Sequence, residues 1–322
     1  MEELLIGHKA TGDIWNVINS CEEISLETVR TGSPSKLSFS LIDVNQEDFT
    51  FEEGDIVRFN VDDQNIFYGW IFTIKTDRWK NMQVTCYDRL RYLKANASYA
   101  FYGQTAGSII RQIAEDLQVD VGDIAETGYQ IPSLIESDKP CIDIIQDALT
   151  QTLLNTGIIY VLYDNGNGLS LTAASDWVSE YYVGDKSLMT DFSYQTDIDS
   201  ETYNSIKLVQ PNESTGMNDV VIVQDSETIG KWGLLQLYKS VDGDYNVAQM
   251  QEQAKQTLDF YNRVRNTFSF EALGINGLRA GMMIRIILPD INVNQIALLE
   301  SVSHSWTEGV HTMKCDTLEL NY

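Results

Sequence analysis

Three histidines (His8, His304, His311) and four cysteines (Cys21, Cys86, Cys141, Cys315) are the side chains best suited to hold a metal or attack a substrate. His304 and His311 fall across one expected hairpin and can approach each other. Two imidazoles without a cysteine partner make a poor zinc site, and satisfied strand histidines are the simpler reading. The cysteines are scattered with no CxxC pair, which argues for reduced thiols made in a cytoplasm rather than a disulfide framework. DNGNG at 164–168 has the oxygen-rich start of a calcium loop. Leu169 stands where that loop needs glycine, and Ser175 where it needs a bidentate glutamate, so the match fails. A carboxylate pair could run glycoside hydrolysis. With 47 Asp and Glu some pair always looks suitable, so composition selects none. GxSxG, P-loop and GxGxxG motifs are absent. The sequence therefore predicts no catalytic, cofactor-binding or metal-binding residue.

Charge is the strongest global feature, with 47 acidic against 22 basic residues and a net charge of −25. Such a surface repels nucleic acid and disfavours sequence-reading contact with it. The acidity is partly concentrated: residues 105–157 carry nine acidic and two basic side chains. No apolar run approaches the roughly 20 residues that span a bilayer. The start, MEELLIGHKATGD, lacks the basic flank and apolar stretch of a signal peptide.

The elements that would position these side chains are mostly strands. In the first ninety residues DIWNVINS, EISLETVR, KLSFSLID, DIVRFNV, IFYGWIFTIK and MQVTCYDRL alternate or carry β-branched residues. TAGSIIRQIAEDL then has helical spacing with Thr105 as N-cap. A second helix is expected from about Pro140 to Leu154, capped by Asp138 and ended by Gly157. IIYVLYDNGNGLSLTAA reads as a hairpin. Strands return at YNSIKLVQ, NDVVIVQ and, after a loop DSETIGKWG, at LLQLYKSV. A long helix from Val247 to about Arg263 carries Val247, Met250, Ala254, Leu258 and Tyr261 as a core-facing stripe. The chain closes on NTFSFEAL, MMIRIILP, IALLESVSH and HTMKCDTLEL.

Two of these strand groups resemble each other. Gly54 and Gly281, Arg58 and Arg285, Asp63 and Asp290, Asn65 and Asn292, and Trp79 and Trp306 all share one spacing of 227 residues. Outside that window the match drifts by a residue or two: Phe39 aligns with Phe268 and Cys86 with Cys315. Within it Ile74 fits Val302 only after a one-residue slip, which a bulge in one copy would explain. A repeat in this order predicts two similar small β-barrels. The expected units are 1–94, a first barrel; 95–195, a mixed α/β insertion; and 196–322, a second barrel containing the helix at 247–263.

SFSLID, FEEGDIVRF, FYGWIFTI and CYDRLRYLK, in that order, resemble the N-terminal barrel of baseplate hub proteins from contractile phage tails and phage-tail-like bacteriocins, the XkdQ-like branch of the late-control protein D group. TAGSIIRQIAEDL, NSIKLVQ, DSETIGKWGLLQ, the helix at 247–263 and GLRAGMMIRI resemble its remainder, so the likeness covers nearly the whole chain. The resemblance implies a structural, non-enzymatic homotrimer with two tube-like barrels per subunit. Six barrels then form a pseudo-hexameric ring between the sixfold tail tube and the threefold central spike. The implied partners are the chain itself, the tail tube protein, the central spike protein and other baseplate proteins, the tape-measure protein among the candidates. The implied location is the particle baseplate after synthesis in a bacterial cytoplasm. Gly54, Arg58, Trp79, Gly281, Arg285 and Trp306 are the candidate repeat and interface positions. A secreted carbohydrate-binding or glycan-hydrolysing β-protein is the alternative, resting on the acids and aromatics.

Overall fold

A computed structural model of the chain describes residues 2–42, 50–184, 187–212, 216–241, 245–289 and 293–319. Alternating apolar and polar residues build the first strands: β1 (Glu2–Gly7), β2 (Ile14–Asn16), β3 (Cys21–Val29), β4 (Lys36–Leu41), β5 (Ile56–Val61), β6 (Gln64–Thr76) and β7 (Met82–Tyr87). Their inward residues, among them Leu4, Leu26, Leu37, Phe39, Phe59, Ile71 and Val84, meet in one cluster, so this half-sheet curls around its own core. Two readings change. MEELLIG makes a full strand, with Leu4 and Ile6 in the core. DIWNVINS keeps strand geometry only over β2 and then turns into a short 3-10 helix at Ile18–Ser20.

A 3-10 helix at Arg89–Lys94 leads into a mixed unit: β8 (Asn96–Gln104), α1 (Ala106–Asp116), β9 (Val121–Ile124), β10 (Ile131–Pro140), α2 (Cys141–Thr156), β11 (Tyr160–Asp164) and β12 (Leu169–Ala173). The Thr105 hydroxyl accepts the Ser108 N–H and starts α1. α2 ends at Gly157 in the left-handed region, φ 72°. Asp138 does not cap α2, because it sits at φ 48° where the β10·β8 ladder bulges.

Next come β13 (Val178–Gly184) and β14 (Met189–Asp197), then β15 (Ser205–Asn212), β16 (Met217–Gln224), α3 (Ser226–Trp232), β17 (Gln236–Ser240) and α4 (Val247–Tyr261). DSETIGKWG is not a loop: Asp225 accepts the Glu227 N–H and nucleates α3. β16, β15 and β17 form a small sheet that α4 covers with Met250, Ala254 and Leu258, while Val247 on the same stripe stays exposed. The chain ends in β18 (Arg265–Leu273), β19 (Met283–Leu288), β20 (Val293–Thr307) and β21 (Val310–Glu319).

The fold is mainly β. One 13-stranded sheet runs β14-β18-β21-β20-β3-β4-β7-β6-β5-β1-β2, with β19 on β20 and β13 on β19. It divides at β20·β3 into two halves with separate cores. The first half uses β1, β3, β4, β5, β6 and β7; the second uses β13, β14, β18, β19, β20 and β21 in the same chain order. β13 and β14 thus join the second half although β13 and most of β14 fall in the stretch 95–195. No closed barrel is found among the described residues, since neither half pairs its two outer strands. The halves also differ in one strand direction: β1 runs antiparallel to β5, whereas β13 runs parallel to β19.

Candidate functional site at the seam between the half-sheets

Matched hydrogen bonds define which residues correspond. Gly54 N–H donates to Ile71 O and Gly281 N–H donates to Leu299 O, each at 2.8 Å. Both glycines stand at the same place before β5 and β19, at φ 92° and 91°, a conformation that side chains disfavour. Ile71 N–H returns to Asp55 O and Leu299 N–H to Met282 O, each at 2.9 Å. Immediately after Ile71 and after Leu299 both hairpins bulge. The one-residue slip that pairs Ile74 with Val302 arises before this shared bulge, since Ile71 already matches Leu299: the first hairpin closes at Val61↔Gln64 and bulges between Phe59 and Asn60, whereas the second closes at Leu288↔Val293 without a bulge.

Arg58 and Arg285 occupy matched strand positions and both point to solvent, Arg58 over the Tyr68 ring and Arg285 toward Asn294. Two alignments need correction. Phe39 pairs with Val84 and Phe270 with Cys315, so Phe39 corresponds to Phe270 rather than Phe268, and Cys315 to Val84 rather than Cys86. The slip of two keeps every side chain on its face, which is why the sequence pattern tolerates it. Asp290 and Asn292 lie outside the described residues.

The tryptophans separate. Trp306 lies on β20, which crosses the seam and pairs with β3 from Ser301↔Val29 to Thr307↔Glu23. Its ring is buried in the first half's core, 4.9 Å edge-on from Phe59. Behind it His311 stacks at 4.2 Å, and His304 Nδ1 lies 2.9 Å from His311 Nε2. Burial holds both imidazoles below their ordinary value, His311 at about 4, with the neighbouring His304 adding to the effect. The pair is therefore neutral at pH 7 and packs as a wedge. Trp79 instead caps the β6–β7 hairpin turn and is 69% exposed, against 4% for Trp306. Around the seam Ala280 N–H donates to Thr28 Oγ1 at 3.0 Å, and Arg30 Nε to Glu300 at 2.9 Å.

A buried ionic cluster ties both halves to the mixed unit. Arg89 Nη1 donates to both Asp164 carboxylate oxygens at 3.1 Å and to Gly166 O at 3.1 Å, over the faces of Tyr68 and Trp70. Arg279, beside the second half, donates to Asp164 O at 2.7 Å and to Ser35 Oγ at 3.2 Å. Asp88 accepts Ser35 N–H and Leu90 N–H. Burial pushes Asp88 up to about 7, and the Asp164 charge adds to it. A cavity of about 220 Å³ opens beside this cluster. Sequence reasoning quoted CYDRL and GLRAG but gave these residues no role. The signal was arginine or aspartate inside otherwise apolar strand ends, which costs stability unless paired.

Among the described residues no group of three or more His, Cys, Asp or Glu side chains is placed to hold a metal ion. The described residues contain no helix long and apolar enough to cross a membrane. The geometry is that of a packing interface: edge strands, a stacked aromatic wedge and a buried ionic cluster.

The chain is 33% identical over 310 residues to the Bacillus subtilis (strain 168) protein YqbQ, covering 93% of this chain and 92% of that one. It is 31% identical over 310 residues to the phage-like element PBSX protein XkdQ of the same strain, covering 93% of each chain. The tail protein from Neisseria meningitidis MC58 superposes with a TM-score of 0.70 at 12% identity, covering 99% of this chain and 96% of that one. The fold is thus that of a phage tail protein. The family model described as YQBQ-like matches residues 24–319, and the chain belongs to the YqbQ-like family.

Proposed function

We propose that the chain is a structural hub of a contractile-tail baseplate, acting as a homotrimer that adapts the sixfold tail tube to the threefold central spike. The carrying observation is the doubled half-sheet with one strand order, joined side by side at β20·β3. Three chains supply six such units. A closed ring of them meets a sixfold partner on one face, while features present once per chain meet a threefold partner on the other. The mixed unit and the small β15–β17 sheet occur once per chain and suit the threefold side.

Kinship with XkdQ and the tail-protein fold support this reading. The partners are other copies, the tail tube protein, the spike protein and neighbouring baseplate proteins, in a phage or tail-like bacteriocin assembled in a bacterial cytoplasm. The role is not enzymatic: the buried acids Asp55, Asp88 and Asp164 are held by His8, backbone N–H groups and Arg89. The net charge of −25 per chain gives an acidic channel wall that repels DNA in transit. Sedimentation of the purified chain and electron microscopy of particles test the proposal. A three-chain, six-lobed ring at the tube–spike junction is expected. A monomer at every concentration, with particles that join tube to spike without this chain, overturns it.

A further inference from the structure

The seam inside the chain has a vacant counterpart. β3 is covered on its outer edge by β20; its equivalent in the second half is β14, because Ile24 pairs with Phe39 as Phe192 pairs with Phe270. Among the described residues β14 pairs only with β18, so its other edge is open. Likewise β20 beyond Leu299 pairs with β3, while β6 beyond Ile71 pairs only with β7. The first half thus lacks an acceptor for its hairpin, and the second half lacks a hairpin for its acceptor.

Exposure follows the vacancy. Ile24 and Leu26 beneath β20 are 2% and 4% exposed, whereas the matched Phe192 and Tyr194 are 39% and 48% exposed. Open, aromatic edge strands invite pairing. Charge is complementary too. The hairpin tip carries Lys75, Arg78 and Lys80 with a single Asp77, a basic spot on a chain of net charge −25. Asp77 is occupied in holding the turn, accepting Trp79 N–H at 2.7 Å and Asn81 N–H at 3.0 Å, while Arg78 lies over Trp79 at 4.2 Å. β14 and the turn after it present Asp191, Asp197 and Asp199.

We propose that the β6–β7 hairpin of one copy pairs with the open edge of β14 of a second copy, placing Trp79 beside Phe192 as Trp306 stands beside Ile24. This deepens the hub reading and rests on it. Carrying the β20·β3 register across sets Thr73 opposite Asp197, Lys75 opposite Gln195 and Thr76 opposite Tyr194, and brings Arg78 and Trp79 to Phe192 and Asp191. Between matched pairs the first hairpin is three residues shorter than the second, so Trp79 reaches in from the turn rather than from a strand. The contact is head-to-tail, so successive copies close into a ring when each step repeats the rotation built into the chain.

The test mixes full-length chains carrying Lys75→Cys with chains carrying Gln195→Cys, under oxidation. Both positions face solvent in the register above. A disulfide-linked pair on non-reducing gels is expected from the mixture and from neither chain alone. Lys75→Cys mixed with Ser193→Cys, one step out of register on the same face, is expected to link far less. Trp79→Ala and Arg78→Glu are each expected to weaken self-association by roughly tenfold or more, and Asp191→Lys to restore Arg78→Glu. A three-chain mass by sedimentation with no Lys75–Gln195 cross-link overturns this seam and leaves the ring standing. A chain that neither links nor associates overturns both.

Discussion

Trp306 and Trp79 stand near the tips of corresponding hairpins, yet one is core and the other surface. The hairpin ending in Trp306 has a neighbour to cross: the first half lies beside it, and β3 supplies both hydrogen bonds and an apolar floor. The hairpin ending in Trp79 has no such strand beside it among the described residues, and Trp79 is exposed. The difference teaches that burial here belongs to the junction between units rather than to the unit. A repeat of two leaves one junction made and one set of edges unmade, and those unmade edges are where the proposed second copy would pair.

Substitution at the two tryptophans should break this comparison most sharply. Trp306→Ala empties a site in the first half's core and is expected to cost about 3–5 kcal/mol, whereas Trp79→Ala should leave the folded monomer within about 0.5 kcal/mol. Chemical denaturation under dissociating conditions measures both. Equal costs would mean that the halves are not related as described.

The glycines come next. Gly54→Ala has open space around the new Cβ and should cost only the left-handed backbone, about 1–2 kcal/mol. At Gly281 the same Cβ falls 2.3 Å from Val161 of the mixed unit, so Gly281→Ala should cost clearly more. Paired thermal melts decide between them. Indistinguishable midpoints would show that Val161 yields freely.

A smaller effect separates the halves by pH. His311 titrates at about 4 when folded and near 6.5 when unfolded. A depressed imidazole value means that the unfolded chain binds the proton first, so stability is present above about 6.5 and is lost as pH falls toward 4. Asp88, raised to about 7, acts in the opposite sense over much of the same range. The informative quantity is therefore the difference between wild type and His311→Asn, and the variant should lose less stability on acidification. The first half has no such pair, since Thr76 stands where His304 does. An unchanged pH profile in the variant would remove the histidines from the seam's energetics.

Smallest of all, Arg58→Ala and Arg285→Ala should each change folding stability by less than about 0.5 kcal/mol, since both are solvated strand charges in one chain. If the double variant still attaches tube to spike by electron microscopy, these arginines hold no interface.

Much of the fold was legible in the residues. GDIVRF and GMMIRI revealed the doubled hairpin, because a left-handed glycine before an alternating strand leaves a pattern in the chain itself. Thr105 and Gly157 marked helix ends for equally local reasons. MEELLIG was passed over because one short strand carries little signal until β5 lies beside it. DSETIGKWG was misread because a seven-residue helix owes its existence to one capping carboxylate rather than to periodicity. Register failed by two between Phe39 and Phe268, since a two-residue shift keeps every face the same.

The sequence by itself determined that a glycine-led hairpin occurs twice and that no familiar catalytic motif is present. Only the tertiary structure decided that β13 and β14 belong with the second half, that Trp306 serves the first half's core, and that Arg89, Asp164 and Arg279 share one buried cluster. The physical reason is range. Alternation, turns and caps act within a few residues and are written locally, whereas strand pairing and buried charge join residues whose separation along the chain says nothing of their distance in space.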